Sequence, residues 1–136
     1  MKSRLAIGDN REFKHVVEDA DIAVFDTGMV HPVCSTFALA KFIEWTSRLF
    51  IIDIKKEDEE GIGTKLHIEH LSPAFVGEDL NFKATITSIN RNELICNVLV
   101  SVGNRKVAIA KTGQKLLLKH RLNEIFSSLE IHGKKR

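Results

Sequence analysis

One stretch of the chain has the hydrophobic periodicity of a helix. Between Leu39 and Phe50, apolar residues recur at three- and four-residue steps, the spacing that places side chains on one helix face. The hydroxyl of Ser35 or Thr36 can cap the first turn by accepting a hydrogen bond from a free amide. The pattern therefore predicts a helix that begins at this cap and fades near Ile52–Asp53.

The second half of the chain alternates apolar and polar residues, which is typical of strands that bury one face. Four strands are predicted there: Gly63 to Leu71, Leu80 to Ile89, Leu94 to Val102 and Val107 to Leu118. The joins at 76–79, 90–93 and 103–106 contain turn-favouring residues and are short, so consecutive strands are expected to be antiparallel neighbours. One more strand is predicted within Phe13 to Phe25.

These elements predict an α+β protein in which one long helix covers one face of a sheet of about five antiparallel strands. The charge run from Lys55 to Glu60 is interpreted as a solvated loop. No repeat or linker divides the chain, so residues 1–136 are expected to form one domain, with a core of about 13–118 and a C-terminal extension of 119–136. One helix leaves sheet edges and one sheet face uncovered, and we therefore expect a homodimer or a tetramer.

Composition narrows the class of protein. The 136 residues include 20 Lys and Arg and 18 Asp and Glu, a formal net charge of +2 that does not indicate nucleic-acid binding. No apolar run approaches the roughly 20 residues that span a bilayer, and no secretory signal is recognised, so a cytoplasmic protein without a membrane partner is expected. Two cysteines are too few for a disulfide scaffold, and no glycine-rich phosphate-binding motif is present.

Two histidines of the first predicted strand after the helix are candidates for chemistry. His67 and His70 resemble a metal-ligand cluster, but residues three apart on a strand point to opposite faces, so no metal site is expected. His70 shares its face with Leu66 and Ile68 and should point inward. An inward imidazole is either a structural residue held by hydrogen bonds or a group that transfers protons near neutral pH.

Polar residues of the predicted helix are further candidates. Glu44 lies away from the apolar stripe, so it is either a solvated carboxylate paired with Arg48 one turn later or a residue facing a cleft at a subunit interface. Cys34 and Thr36 lie at the helix start, where amides stabilise negative charge and can lower the pKa of a thiol. Capping and burial of a small apolar residue explain the same positions without chemistry.

Three motifs in this order resemble hot-dog-fold thioesterases of the fluoroacetyl-CoA thioesterase type. They are TFALAKFIEW at 36–45, Gly61-Ile62-Gly63-Thr64, and His70. In that family a Thr and a Glu stand eight residues apart on the central helix, and a His follows a Gly-Thr pair by six residues. Thr36 and Glu44 have the first spacing here, and Thr64 and His70 have the second. The resemblance extends over about residues 16–118.

The resemblance implies a sheet wrapped around the helix, with active sites at a dimer interface. It implies an acyl-CoA thioesterase that hydrolyses a small or medium acyl-CoA to a carboxylate and free CoA, with no cofactor beyond the CoA of the substrate. The catalytic residues carried over by position are Thr36, Glu44 and His70, and Gly63 matches a substrate-contacting glycine. Gln114 stands where the family has a substrate-contacting arginine, and no match to the aromatic lid is found, so fluoroacetyl-CoA itself is not the expected substrate.

The roles of these residues follow from the chemistry of thioester hydrolysis. Glu44 activates water or attacks directly, His70 shuttles a proton to the departing thiolate, and Thr36 orients Glu44 or takes part in attack. Three alternatives stay open: a sensor or carrier that binds acyl-CoA or another ligand without turnover, a hydratase or dehydratase, and a purely structural oligomer. The hydratase reaction generally uses an Asp and a His near a helix start, and no Asp lies within 34–44.

Overall fold

The computed structural model describes residues 5–25 and 28–134 of the chain. Within these ranges it contains seven strands, two α-helices and one 3₁₀ turn. The strands are β1 (Asn10–Val16), β2 (Ile22–Phe25), β3 (Gly28–Cys34), β4 (Glu59–His70), β5 (Asp79–Asn90), β6 (Glu93–Val102) and β7 (Arg105–Leu118), and the helices are α1 (Thr36–Ile54) and α2 (Lys119–Lys134). The 3₁₀ turn is Asp19–Asp21.

Five strands form one antiparallel sheet in the order β1-β5-β6-β7-β4, and β2 and β3 form a separate two-stranded sheet. Helix α1 packs on one face of the large sheet and contacts all five of its strands, most extensively β7 and β4. The buried apolar residues of α1 and the inward residues of β5, β6 and β7 form one core. The predicted α+β architecture is therefore confirmed.

Helix α1 begins and ends where the periodicity predicts. The Ser35 hydroxyl accepts a hydrogen bond from the Ala38 amide at 3.0 Å, so Ser35 is the cap and Thr36 is the first helical residue. The predicted stripe is buried at Leu39, Ile43 and Phe50. Full burial of each such side chain stabilises the fold by about 1.5–3 kcal/mol, which fixes the face that α1 turns to the sheet.

The prediction of one strand within Phe13 to Phe25 is wrong. The chain leaves the sheet after Val16, makes the 3₁₀ turn at Asp19–Asp21 and enters β2, which pairs with β3 rather than with the large sheet. The Asp21 carboxylate accepts a hydrogen bond from the Glu18 amide at 2.9 Å, and this contact closes the turn. The sequence pattern missed β3 because Pro32 interrupts it, and proline cannot donate to a strand ladder.

Two expectations around β4 are also corrected. The strand begins at Glu59 rather than Gly63, because the Glu59 carboxylate turns inward to accept a hydrogen bond from the Lys56 amide at 2.9 Å. The solvated loop is therefore limited to residues 55–58. The expected pairing of consecutive strands holds for β5-β6 and β6-β7 but is wrong for β4 and β5, because residues 71–78 are long enough to cross the sheet and β7 lies beside β4.

The C-terminal extension folds as α2. The Lys119 amide donates to the Asp58 carbonyl at 2.8 Å, so α2 begins beside the loop that precedes β4. Neither helix of the described ranges is long and apolar enough to cross a membrane. The division into a core and an extension of one domain stays a prediction.

Candidate active site

The first turn of α1 and the last residue of β4 bring Thr36 and His70 together. Thr36 Oγ1 lies 2.9 Å from His70 Nδ1, a hydrogen-bond distance. His70 is half-buried and points to the helix side of the sheet, as predicted. Its second ring nitrogen, Nε2, is buried and has no hydrogen-bond partner among the described residues. The pair therefore holds the imidazole by one nitrogen and leaves the other for proton transfer.

The carboxylate of Glu44 lies against the backbone of β4 at Gly63. A Cβ atom built on Gly63 would overlap Glu44 Oε1, so this close approach requires a glycine. Gln114 is the residue of β7 that pairs with Gly63, and it is only 1% exposed. Its Nε2 lies 4.0 Å from the same Cβ position. Glycine, carboxylate and amide thus meet at one point beneath α1.

A β-bulge in β4 turns Gly63 and His70 to the same face of the sheet. The two residues are seven positions apart, so an unbroken strand would point them to opposite faces. The pairing of β4 with β7 shifts register between Gly63 and Lys65, and the side chains of Thr64 and Lys65 both lie beside Gly113. The extra residue restores the helix-side orientation at Gly63. The alternation of apolar and polar residues along 63–70 does not reveal this bulge.

Within one protomer, these residues form two separate groups. Thr36 and Glu44 are eight residues apart on a helix, about 12 Å along its axis. Gly63 and His70 are on the order of 20 Å apart along β4. No hydrogen bond or ion pair between described residues joins Glu44 to Thr36 or His70. We call the Thr36–His70 pair the histidine half-site and the Glu44–Gly63–Gln114 group the glutamate half-site.

The explanation of Glu44 as one partner of a helical ion pair is wrong. The Arg48 guanidinium donates to the Gly61 carbonyl at 2.9 Å and lies 3.6 Å from Glu60 Oε1. Both contacts are on β4, and they draw Arg48 away from the preceding turn of α1. Glu44 is exposed in the protomer and is therefore available to a cleft.

Cys34 is not equipped to act as a nucleophile. It is 1% exposed, and burial, with a smaller contribution from the Asp21 carboxylate, raises its thiol pKa to about 11. Burial likewise raises the thiol pKa of Cys96 to about 12. Thiols of this kind are neutral at pH 7, and the neutral thiol is a poor nucleophile. Packing for Cys34 and capping for Ser35 account for the start of α1.

Two further clusters of potential ligands lie outside these half-sites. His67 and Glu69 line a cavity of about 540 Å³ on the outer sheet face, opposite His70. His15, Glu18 and Asp21 have ligand atoms within 4.8 Å of one another. In this second group the Asp21 carboxylate already contacts His15 Nε2 at 2.7 Å and accepts from the Glu18 amide, so the chain itself satisfies it.

A groove of about 650 Å³ opens beside Thr36. It runs between the first turns of α1 and the segment 19–24. Most of its lining is apolar, and Phe37 at one side is 84% exposed in the protomer. The charged residues along it are Asp19, Asp21 and Lys41. The groove can therefore take an apolar chain that ends at the histidine half-site.

Comparisons with known proteins place this geometry in a family. The model of the family described as FlK, fluoroacetyl-CoA-specific thioesterase, matches residues 17–120. A Thermus thermophilus hypothetical protein described as a thioesterase superfamily member has the same fold with a TM-score of 0.91 and 26% identity, covering 98% of this chain and 100% of that one. No curated protein sequence matches the chain.

Two further solved structures have the same fold. The fluoroacetyl-CoA thioesterase FlK superposes with a TM-score of 0.83 at 14% identity, covering 93% of this chain and 98% of that one. A hot-dog-like protein from Thermanaerovibrio acidaminovorans gives 0.82 at 16% identity, with 90% of each chain covered. The predicted hot-dog fold is confirmed. Since the family model spans most of its length, the chain belongs to the fluoroacetyl-CoA-specific thioesterase family and is a hot-dog-fold thioester hydrolase.

Proposed function

We propose that the protein hydrolyses a small or medium acyl-CoA thioester to a carboxylate and free CoA, in a site that two protomers complete. The observation that carries the proposal is the division of the polar groups into a histidine half-site and a glutamate half-site at opposite ends of β4. Family membership supports the reaction. Variants of FlK have been solved with acetyl-CoA and with fluoroacetate and CoA, which supports an acyl-CoA substrate.

Pairing of two β4 strands would combine the half-sites. β4 is an edge strand of the five-stranded sheet, so its outer side can accept another strand. An antiparallel pair with its two-fold axis at His67 would bring Gly63 opposite the partner's His70, because the bulge adds one residue, Thr64, between Gly63 and Lys65. Directly opposite Cα atoms in such a pair are about 4.5–5.5 Å apart, with side chains on one face. Glu44 would then lie beside the partner's histidine half-site, in a homodimer or a tetramer of such dimers.

The combined groups suit hydrolysis of a thioester. Water attacks the carbonyl carbon while Glu44 accepts a proton from it, and the carbon–sulfur bond then breaks as His70 gives a proton to the CoA sulfur. Attack by the Glu44 carboxylate itself, followed by hydrolysis of the anhydride, uses the same positions. Thr36 holds the imidazole, and the amides at the start of α1 favour the negative charge that develops on the carbonyl oxygen.

The groove beside Thr36 is the proposed acyl site. Its apolar lining favours an alkyl chain over a charged acyl group, and its volume of about 650 Å³ suits a small or medium one. We further propose a cytoplasmic enzyme that uses no cofactor apart from the CoA of its substrate. The two free, buried cysteines fit a reducing compartment.

Release of free thiol from a series of straight-chain acyl-CoAs, from acetyl to decanoyl, tests the proposal. The wild type should release CoA, and the release should fall at least tenfold in His70→Ala and at least 100-fold in Glu44→Ala. His120→Ala is the matched control, because it removes an exposed imidazole of α2, outside the proposed strand pair. Failure of the wild type to hydrolyse any substrate, or equal activity in the two histidine variants, would overturn the proposal. Tight CoA binding without release would favour a sensor or carrier.

A further inference from the structure

We propose that Gln114 is a positioning residue that holds the Glu44 carboxylate, and that it is not a contact to the substrate. This inference rests on the proposed thioesterase function and deepens it. It differs from the expectation drawn from the family resemblance, in which position 114 contacts the substrate.

The burial of Gln114 argues against contact with substrate. Its side chain is 1% exposed and points to the helix side of β7, as does that of Thr112 two residues before it. Thr112 Oγ1 lies 2.6 Å from Ser47 Oγ, and Ser47 is on the turn of α1 that follows Glu44. Helix α1 therefore covers this part of β7, and a CoA moiety could reach Gln114 only if the helix moved.

The amide of Gln114 is directed at the glutamate half-site. Its Nε2 lies 4.0 Å from the point above Gly63 that Glu44 Oε1 overlaps. Because both atoms lie beside this one point, a side-chain rotation or one bridging water can join the amide N–H to the carboxylate. An amide N–H donated to a carboxylate fixes the carboxylate rotamer without forming an ion pair.

The other end of the amide shows that packing alone does not explain this residue. Gln114 Oε1 is buried and has no hydrogen-bond partner among the described residues. A buried acceptor without a donor lowers stability, and a methionine of similar length would fill the same volume without that loss. The amide nitrogen, which faces Glu44, therefore explains why a polar side chain occupies this position.

A charge introduced at position 114 by substitution should act on the Glu44 carboxylate directly. On α1 the nearest charged residues are Lys41, whose ammonium lies over the Phe42 ring, and Arg48, which is held by the Gly61 carbonyl and Glu60 on β4. The inward residues of β7 around Gln114 are uncharged. In the proposed dimer, the partner's His70 also faces Glu44. A charge introduced at 114 would therefore face this carboxylate from β7, where the wild type has no inward charge.

Steady-state kinetics of two variants test the inference, with the best acyl-CoA of the wild type as substrate. For Gln114→Met we expect kcat to fall about 10- to 100-fold with KM within about twofold, and an unchanged or higher Tm. For Gln114→Glu we expect the acid limb of the kcat–pH profile to move to higher pH by about one unit or more, because a like charge raises the pKa of Glu44. Thr112→Val is the matched control, since it removes a neighbouring buried polar group and should lower Tm without moving the acid limb.

Three results would overturn the inference. A higher KM with unchanged kcat in Gln114→Met would assign the residue to substrate binding. A lower Tm with unchanged kcat and pH profile would assign it to packing. An acid limb that moves equally in Thr112→Val and Gln114→Glu would show a general effect of the core. If the wild type itself hydrolyses no acyl-CoA, the proposed function fails, which is distinguishable from a failure confined to the variants.

Discussion

The two ends of β4 are built on different principles. At the C-terminal end, a side-chain hydrogen bond of 2.9 Å between Thr36 and His70 holds the imidazole that we propose as the proton donor. At the other end, a bulge and the glycine at 63 make room for the Glu44 carboxylate to lie on the backbone. A hydrogen bond orients the His70 side chain at the first end. At the second end, the absence of a side chain at Gly63 leaves space for Glu44. In the proposed mechanism, each end alone lacks a group that thioester hydrolysis needs.

The largest effect is expected at the glutamate half-site. Glu44→Gln keeps the shape of the side chain but removes the base, so kcat should fall about 10²- to 10⁴-fold. Stability should change little because Glu44 is exposed in the protomer. Free-thiol release and thermal unfolding measure the two quantities. A loss of less than tenfold would mean that Glu44 is not the base or the nucleophile. Glu69→Gln, on the outer face, is the control.

The histidine half-site should behave as one unit. His70→Gln and Thr36→Val should each lower kcat by about 10- to 100-fold, and the double variant should lose little more than the worse single variant, since Thr36 acts through the imidazole. Thr36→Ser keeps the hydroxyl and should retain most of the activity. Fully additive losses in the double variant would separate the two residues and remove the basis for treating them as a pair.

Gly61 and Gly63 of β4 are expected to differ in what their replacement affects, stability at Gly61 and activity at Gly63. A Cβ on Gly63 would displace the flexible end of Glu44, so Gly63→Ala should cost activity, about 10- to 100-fold in kcat, with little loss of stability. A Cβ on Gly61 would overlap the buried Ile51 side chain, so Gly61→Ala should cost about 1–3 kcal/mol of unfolding free energy. Denaturant unfolding and kcat measured on both variants check the contrast. The reverse pattern would contradict it.

The smallest effect is expected at Cys34, two residues before Thr36. Because burial raises its pKa to about 11, only about one thiol in a thousand is ionised at pH 8. Iodoacetamide at pH 8 should therefore leave the folded protein active, and the cysteines should react only after unfolding. Cys34→Ala should keep kcat within about twofold. Rapid inactivation that substrate prevents would restore the thiol as a candidate nucleophile.

The sequence predicts what local patterns determine. Periodicity and a hydroxyl cap specify α1, and alternation specifies the cores of β4 to β7, because both depend on neighbours within a few residues. The crossing between β4 and β5 was missed because strand order depends on long-range packing. The strand β3 was missed because Pro32 breaks its pattern.

In the candidate site too, local patterns predict the residues, whereas long-range packing determines how they are arranged. Spacing and resemblance pointed to Thr36, Glu44, Gly63, His70 and Gln114. The pattern of one protomer could not reveal that these residues separate into two groups, nor that a bulge turns Gly63 and His70 to one face. Register and side-chain burial are properties of the packed sheet, and the burial of Gln114 is the clearest case.

Activity of mixed dimers tests the central claim most directly. Two differently tagged chains, one Glu44→Gln and one His70→Ala, are co-expressed, and the dimer that carries both tags is purified. If each site takes Glu44 from one protomer and the histidine half-site from the other, one of its two sites is intact, and the dimer should recover about half of the wild-type thiol release. A mixed dimer as inactive as either parent homodimer would show that both groups act within one chain and would contradict the account.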